Sequence, residues 1–380
     1  MNTRSSRAIR LILLAALMAI IAVIPSAAKY YTADSSATLT AVYSQPVTSG
    51  SLQVINGVNE GYYALACYGG GGGGDYGGRG GRIRAVVQLG AGTYYLNPGT
   101  VGILYNGGSP GGGDGFPNAG VWGGYGGGGY SYIGTVPAPA ANNTAGIIAL
   151  AGGGGGGAVP KNNGGGQDNG TGPENQWGGR GGDATAAGVE AYGNSSWNTQ
   201  DGEASDIAGY GEGAGPNHEK WGRAAGGGRT HHFTAGGTPN GGGRINRAIG
   251  FSGAGAGLQG GNVSSNGGNL NANYAGGGGG GYRGGGGGGY HHSGSGGSYN
   301  GVYNPGGGGG GSSYLGNAVT VVTTLGTSDS FAGVLPAKLG VWVDGQTVPT
   351  NAGENGKTVL IYLGPDNPVG KSDNEYIYNW

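Results

Sequence analysis

Charged residues are scarce in this chain. Only 10% of the 380 residues are Asp, Glu, Lys or Arg, and 18 basic residues nearly balance 19 acidic ones, which gives a net charge of −1. A chain with so little charge is not a polyelectrolyte tail or a disordered segment solvated by its charges. Because it has no basic excess, it also lacks the electrostatic field that holds nucleic acid. We therefore expect no nucleic-acid partner.

Cysteine is rarer still, since Cys67 is the only one. A single cysteine excludes disulfide bonds within the chain. Cys67 ends the apolar and aromatic stretch Tyr62–Cys67, which is typical of a buried strand. We interpret Cys67 as a small core residue; a disulfide bridge to another chain is the alternative.

Motifs that carry catalytic or metal chemistry are not evident. The sequence has no HExxH, and its GxGxxG matches have no weight in a chain so rich in glycine. The histidine pairs 231–232 and 291–292 have no further ligands at metal-binding spacings. The acidic residues Asp201, Glu203 and Asp206 lack the full pattern of a calcium loop. The sequence predicts no enzyme, no cofactor and no metal site.

The N-terminus has the pattern of a secretory signal peptide. Three arginines within residues 1–10 precede the apolar stretch Leu11–Ile24, which ends at Pro25 and three small residues. Because this stretch is short for a bilayer of about 30 Å, residues 1–28 are interpreted as a signal peptide cleaved before Lys29. An uncleaved anchor and a pilin-type leader cut after Arg7-Ala8 are the alternatives. Cleavage would leave 15 basic and 19 acidic residues, a net charge of −4.

Glycine supplies 102 residues, many of them in runs. Five runs of six glycines each are bounded by Gly69 and Gly74, Gly152 and Gly157, Gly276 and Gly281, Gly284 and Gly289, and Gly306 and Gly311. Clustering in runs excludes collagen, which needs glycine at every third residue. Equal lengths with tyrosines at the edges are unlike a flexible linker. We predict left-handed polyglycine II helices of three residues per turn, whose peptide groups pair with neighbouring helices.

Short segments with strand character surround these runs, and no convincing helical period occurs outside the signal. They are Leu52–Ile55, Tyr62–Cys67, Ile83–Leu89, Gly92–Leu96, Ile147–Ala151, Val319–Leu325, Leu339–Val343 and Thr358–Leu363. Strands lead directly into Gly69 and Gly152, and another leaves Gly311. Residues 160–273 are polar and rich in Asn, Gly, Ala and Ser, which predicts long loops. The sequence predicts an all-β fold, a β-sandwich or jelly-roll-like core with an inserted bundle of polyglycine II helices.

These segments resemble the glycine-rich domain in the ectodomains of anaplastic lymphoma kinase and leukocyte tyrosine kinase and in many secreted bacterial and archaeal proteins. The resemblance covers residues 51–364 and is carried by Tyr62–Gly69, Gly80–Val87 with Tyr94–Leu96, Ile147–Gly152, and Gly306–Tyr314 with Lys357–Tyr362. It implies a sandwich-like core that carries polyglycine helices. Phage tail-tip adhesins are similar in their glycine bundles, which implies surface binding. This chain has no paired cysteines and no kinase portion, so receptor activation does not carry over.

Four sequons mark candidate glycosylation sites in an exported protein. They begin at Asn142, Asn169, Asn194 and Asn262. All four fall in predicted loops. In a chain rich in Asn, Ser and Thr some sequons arise by chance, so the pattern alone does not select among them.

The ends of the chain are candidate subunit contacts. Residues 29–50 contain the predicted strand Ala37–Tyr43, and residues 365–380 form an aromatic tail after the main domain, residues 51–364. Both ends are expected either to pair with their own core or to donate a strand to the next subunit. The candidate contact residues are Leu39, Val42, Tyr43, Tyr376, Tyr378 and Trp380.

The predicted signal peptide, the low charge and the glycine runs of equal length together indicate a structural role outside the cell. We expect a non-catalytic structural protein, the subunit of an extracellular filament or surface assembly involved in adhesion and polymerised by strand donation. A monomeric adhesin or lectin-like module that recognises a glycan or a surface protein is the alternative.

Overall fold

The structure is a computed structural model. It describes residues 43–45, 52–115, 124–140, 143–158, 178–193, 234–235, 244–245, 251–252, 257–264, 276–288, 290–293, 302–305, 307–373 and 375. Most of the predicted loop region 160–273 therefore lies outside the described residues.

The described chain is mostly strand with little helix. The strands in order are β1 (Tyr43–Gln45), β2 (Gln53–Val58), β3 (Gly61–Tyr68), β4 (Arg82–Leu89), β5 (Gly92–Asn97), β6 (Ser131–Gly134), β7 (Ile147–Ala151), β8 (Glu190–Ala191), β9 (Thr234–Ala235), β10 (Arg244–Ile245), β11 (Phe251–Ser252), β12 (Val263–Ser264), β13 (Tyr290–Ser293), β14 (Val302–Pro305), β15 (Ser313–Leu315), β16 (Thr320–Thr324) and β17 (Lys357–Gly364). A 3-10 turn, Phe331–Gly333, precedes the helix α1, Ala337–Gln346. The all-β class predicted from the sequence is confirmed.

Two antiparallel sheets form the body of the fold. One has five strands in the order β1-β17-β3-β4-β16, and the other has six in the order β2-β5-β6-β7-β15-β8. The hairpin β3–β4 pairs in one unbroken register from Gly61 opposite Leu89 to Tyr68 opposite Arg82. Three further two-stranded pairs, β9–β10, β11–β12 and β13–β14, lie outside these sheets.

The main hydrophobic core lies between the two sheets, as in a β-sandwich. Alternate residues of β3, namely Tyr63, Leu65 and Cys67, face this core together with Leu96 and Ile133 of the other sheet. This is the period of two that a strand imposes on its side chains. Cys67 is buried, and that burial raises the pKa of its thiol to about 12. The position agrees with its interpretation as a core residue.

The opposite face of the five-stranded sheet is covered by α1. Ala64, Ala66 and Tyr68 of β3 pack there against Phe331, Leu335, Leu339 and Val343. The strand predicted at Leu339–Val343 is therefore wrong, because this segment is helical. Leu339 and Val343 are four residues apart and lie on one face of α1, and Leu335 packs with them from just before the helix, although the alternation in Leu-Gly-Val-Trp-Val is typical of a strand. No helix among the described residues is long and apolar enough to cross a membrane.

Tyrosines cover the outer face of the six-stranded sheet. Tyr130, Tyr132 and Tyr314 form a buried cluster there with Ile147 and Leu150. Burial raises the pKa of Tyr130 and Tyr132 to about 12. The strand that carries Tyr132, β6, was not predicted, since its four residues end in glycine.

Two glycines of α1 give a matched test of its packing. A Cβ on Gly340 would lie 2.5 Å from the Ala332 nitrogen and 2.7 Å from the Phe331 carbonyl carbon, whereas a Cβ on Gly345 meets nothing within 4 Å. We expect Gly340→Ala to lower the free energy of unfolding by about 2 kcal/mol through overpacking. Gly345→Ala should raise it by about 0.5 kcal/mol through helix propensity. Denaturant titration measures both, and equal effects would contradict this placement of the helix.

Candidate functional site: the glycine network

Glycine-rich segments leave one end of the two sheets and bond to one another. This glycine network comprises residues 69–81, 99–115, 124–130, 152–158, 178–182, 257–262, 276–288 and 307–312. Every described residue of the five hexaglycine runs is buried except Gly74, which is half-buried. Gly289 and Gly306 lie outside the described residues. The runs therefore form an interior and are not surface linkers.

The run Gly152–Gly157 shows the bonding pattern most completely. Its N–H groups donate with a period of three: residues 153 and 156 to residues 280 and 277, residues 154 and 157 to residues 70 and 73, and residue 155 to residue 179, at 2.6–3.0 Å. The remaining N–H, on Gly152, donates to Ser313 Oγ at 2.8 Å. All six donors of the run are thus satisfied, as burial requires.

The carbonyl groups of the same run follow the same period. Residues 152 and 155 accept from residues 81 and 78, residues 153 and 156 from residues 311 and 308, and residues 154 and 157 from residues 128 and 125. Together with the donor pattern, this gives the run six neighbouring segments. Each successive residue turns to a different pair of neighbours, so the run is held from all sides, by backbone groups and by the Ser313 hydroxyl.

The network continues the strand pairing of the sheets without a change of register. Tyr68 pairs with Arg82 at the end of β3–β4, and the Gly69 and Gly72 N–H groups then donate to Gly81 and Gly78. The pairs β6–β7 and β7–β15 extend in the same way, through Gly128 to Gly154 and Gly311 to Gly153. The same chain segments stay paired, but the hydrogen bonds between them recur at every third residue and no longer at alternating residues.

Where hydrogen bonds recur at every third residue, peptide groups also point toward segments that continue the other sheet. The continuations of the two sheets are therefore hydrogen-bonded to each other. Stacked sheets stand about 10 Å apart because side chains fill the space between them. Beyond the last side chains, the continuation of β7 donates directly to that of β3, from Gly154 to Gly70 at 2.9 Å. The continuation of β4 donates to that of β7, from Gly78 to Gly155 at 2.9 Å. In the network the hydrophobic core is replaced by peptide hydrogen bonds.

This closeness excludes any side chain. A Cβ built on Gly72 would collide with the Gly155 carbonyl, one on Gly155 with the Gly308 carbonyl, and one on Gly311 with the Gly280 carbonyl. The obstacles are backbone atoms, which have no rotamer to change. Glycine is required here by the approach of neighbouring chains, because among the described residues of the runs only Gly74 has a positive φ.

Two serines join the strands to the network. Ser131 Oγ donates to the Tyr68 carbonyl at 2.5 Å and accepts from Gly99 N–H at 2.8 Å. Ser313 Oγ donates to the Gly182 carbonyl at 2.5 Å and accepts from Gly152 N–H at 2.8 Å. Both are fully buried at the first residue of their strands. They satisfy peptide groups where the ladder changes its period.

Sequence reasoning missed these serines, although a signal was present. Ser131 opens Ser-Tyr-Ile-Gly and Ser313 opens Ser-Tyr-Leu-Gly, each after glycine-rich sequence. The two strands flank β7, and Tyr132 and Tyr314 both pair with Leu150. The short repeat thus identifies two equivalent junctions in the six-stranded sheet.

Ion pairs lie at the edge of the network. Arg79 forms two hydrogen bonds to Asp183, at 2.5 and 2.9 Å. Arg283 lies 3.2 Å from Glu190, next to the stacked rings of Tyr282 and Tyr314 at 4.8 Å. Burial raises the pKa of Glu190, against the opposing effects of a Ser312 hydrogen bond and the Arg283 charge. These pairs tie separate segments together where the network ends.

Other predicted site residues are placed as follows. Asn262 is exposed, and its Oδ1 accepts from Asp114 N–H at 2.8 Å. Asn142, Asn169 and Asn194 lie outside the described residues, as do Leu39, Val42, Tyr376, Tyr378 and Trp380. Tyr43 begins β1, which overlaps the predicted strand Ala37–Tyr43 at that residue and pairs with β17 of the same chain.

The structure also bears on two possible kinds of chemistry, a nucleophilic serine and a metal site. Gly107–Gly111 matches GxSxG, a pattern overlooked in the sequence, but it lies within the network and not in the strand–turn–helix of a nucleophile elbow. Among the described residues, no three His, Cys, Asp or Glu side chains group as metal ligands. In the described part of the chain the glycine network is the most extensive feature with a specific geometry.

Comparison with known proteins gives no family assignment. No protein-family model matches the chain, and no curated protein matches its sequence.

Matched glycine variants test whether the network holds the fold together. We expect Gly155→Ala to lower the free energy of unfolding by about 3 kcal/mol, because its Cβ meets the Gly308 backbone. Gly90 is exposed and a Cβ there meets nothing within 4 Å, so Gly90→Ala should change stability by less than about 0.5 kcal/mol. Thermal unfolding of both variants measures the difference. If Gly155→Ala were as stable as Gly90→Ala, the packing described here would be wrong.

Proposed function

We propose that this chain is a secreted structural protein, the non-catalytic subunit of an extracellular filament or cell-surface assembly involved in adhesion. The observation that carries the proposal is the glycine network. It fills the end of the sandwich with backbone hydrogen bonds between the two sheets, where an ordinary domain has loops. Because such a region presents few side chains, it is better suited to mechanical support than to catalysis.

Within this proposal the network is a bundle of polyglycine II helices inserted into a jelly-roll-like core. The period of three in both donors and acceptors of Gly152–Gly157 supports three residues per turn. Glycine has no intrinsic handedness, but nearly all described run residues avoid positive φ, which supports the left-handed form of ordinary polyproline II backbone. Six residues at about 3.1 Å each would span about 19 Å.

The proposed structural role depends on how the hydrogen bonds of the bundle would distribute a pulling force. Every peptide group of the run 152–157 is bonded to a neighbouring segment, and those segments continue into strands of both sheets. A force applied to one strand is therefore shared among several segments. Low charge, 10% of residues, would let such subunits pack closely without strong mutual repulsion.

A second function, a monomeric adhesin or lectin-like module, is favoured by one exposed apolar turn. The turn between Ile103 and Asn106 closes on itself by two backbone hydrogen bonds. Ile103 and Leu104 are 62% and 65% exposed, and Leu104 has a φ of 51°. Exposed apolar side chains on a strained turn are typical of contact surfaces. This turn would be the part of the module that contacts a glycan or surface protein.

Electron microscopy of the secreted protein distinguishes the two functions. We expect polymers from the full chain and compact particles after deletion of residues 29–44, because the deletion removes the proposed donor segment. Deletion of residues 29–36 alone, which leaves the predicted strand Ala37–Tyr43, is the matched control and should still polymerise.

Compact particles from the full chain would contradict the filament proposal. In that case Leu104→Asn should abolish binding to the cell surface if the chain is an adhesin. Polymers that persist after deletion of residues 29–44 would show that assembly does not use this segment.

A further inference from the structure

The N-terminal strand β1 has a defined register on one sheet edge. Tyr43, Ser44 and Gln45 pair antiparallel with Leu360, Val359 and Thr358 of β17. β1 is the outermost strand of the five-stranded sheet, and its neighbour in that sheet is β17. The attachment is three residues long. Among the described residues, it is where the N-terminal segment meets the folded domain.

The strand that β1 covers is apolar on both faces. Leu360 belongs to the core between the sheets, while Val359 and Ile361 pack beneath α1, and all three are fully buried. On its other side β17 pairs with β3 from Lys357 to Gly364, with a bulge between Tyr362 and Gly364. An apolar edge of this kind is a template for pairing with another chain unless a strand covers it.

The covering strand belongs to a segment that need not come from the same molecule. Residues 46–52 separate β1 from β2, a connection of about 25 Å when extended. Pro46 follows β1 directly and has no N–H with which to continue the ladder. If β1 of a second copy occupied the edge, the pairing with β17 would be identical, so exchange would change only the path of the connection.

We infer that β17 is the acceptor edge for β1 of a second copy of this chain, with Ser44 of one copy opposite Val359 of the next. The inference rests on the proposed function and specifies its contact. Each copy offers one donor strand and, once its own β1 has left, one acceptor edge. Such a head-to-tail contact need not close, so repeating it generates an open chain of subunits.

The proposed contact also gives the predicted strand upstream of β1 a place on β17. Continued past Tyr43 in the same register, the donated segment would place Val42 opposite Ile361 and would then reach the bulge between Tyr362 and Gly364. The sequence-predicted strand Ala37–Tyr43 would then run along the remainder of β17. Main-chain pairing over that length would supply the strength of the contact.

Cysteine pairs test this contact directly. The double variant Ser44→Cys/Val359→Cys places two thiols directly opposite each other, within the separation that a disulfide spans. Val359 lies in the core beneath α1, whereas Cys67 faces the core between the sheets, so the native thiol does not interfere. The matched control, Ser44→Cys/Ile361→Cys, is displaced by two residues and lies beyond disulfide reach.

Assembled protein is oxidised with oxidised glutathione, denatured, and separated by gel electrophoresis without reductant. We expect a ladder of covalent multimers from the in-register pair, lost on reduction, and a single monomer band from the control. The same samples are imaged before denaturation. Thermal unfolding of each variant in reductant verifies that it has folded.

A disulfide confined to the monomer, detected as a mass lower by two hydrogens, would overturn the inference because β1 would then pair within its own chain. Absence of the in-register disulfide in material that forms filaments would also overturn it, while leaving the filament function intact. Monomers in the microscope together with a monomeric disulfide would overturn both proposals.

Discussion

Buried peptide groups must find partners, and in the glycine network of this protein nearly all of those partners are other peptide groups. In the run Gly152–Gly157 all six N–H groups and all six carbonyl groups are bonded to neighbouring segments or to Ser313. Glycine loses more conformational freedom on ordering than any other residue. One run could not offset that loss alone, so the network exists only because several runs share their bonds and because strands hold their ends.

The sandwich supplies that anchorage. Each network segment that extends β3, β4, β6, β7 or β15 begins in a register already set by buried side chains. Ser131 and Ser313 satisfy the peptide groups at which the period of two becomes a period of three. Sheet and network are therefore one hydrogen-bonded system: hydrophobic packing determines the alignment, and glycine lets the aligned chains approach one another.

Much of this arrangement could be predicted because its signals are local. Tyr62–Cys67 followed by six glycines, and Ile147–Ala151 followed by six more, indicate strands that lead into runs, and the structure confirms both strands. The helix α1 was missed because Leu-Gly-Val-Trp-Val alternates like a strand, and the single four-residue spacing of Leu339 and Val343 does not outweigh that alternation. The six neighbours of Gly152–Gly157 could not be predicted, since identical glycines carry no information about which run contacts which.

Site-resolved amide hydrogen exchange of Gly152–Gly157 tests the central claim most directly. If these N–H groups are bonded to neighbouring segments in a dry interior, they should exchange as slowly as the amides of β3, and only global unfolding should release them. Exchange at the rate of an unstructured glycine peptide would contradict the account, because the runs would then be solvated chain and not part of the folded interior.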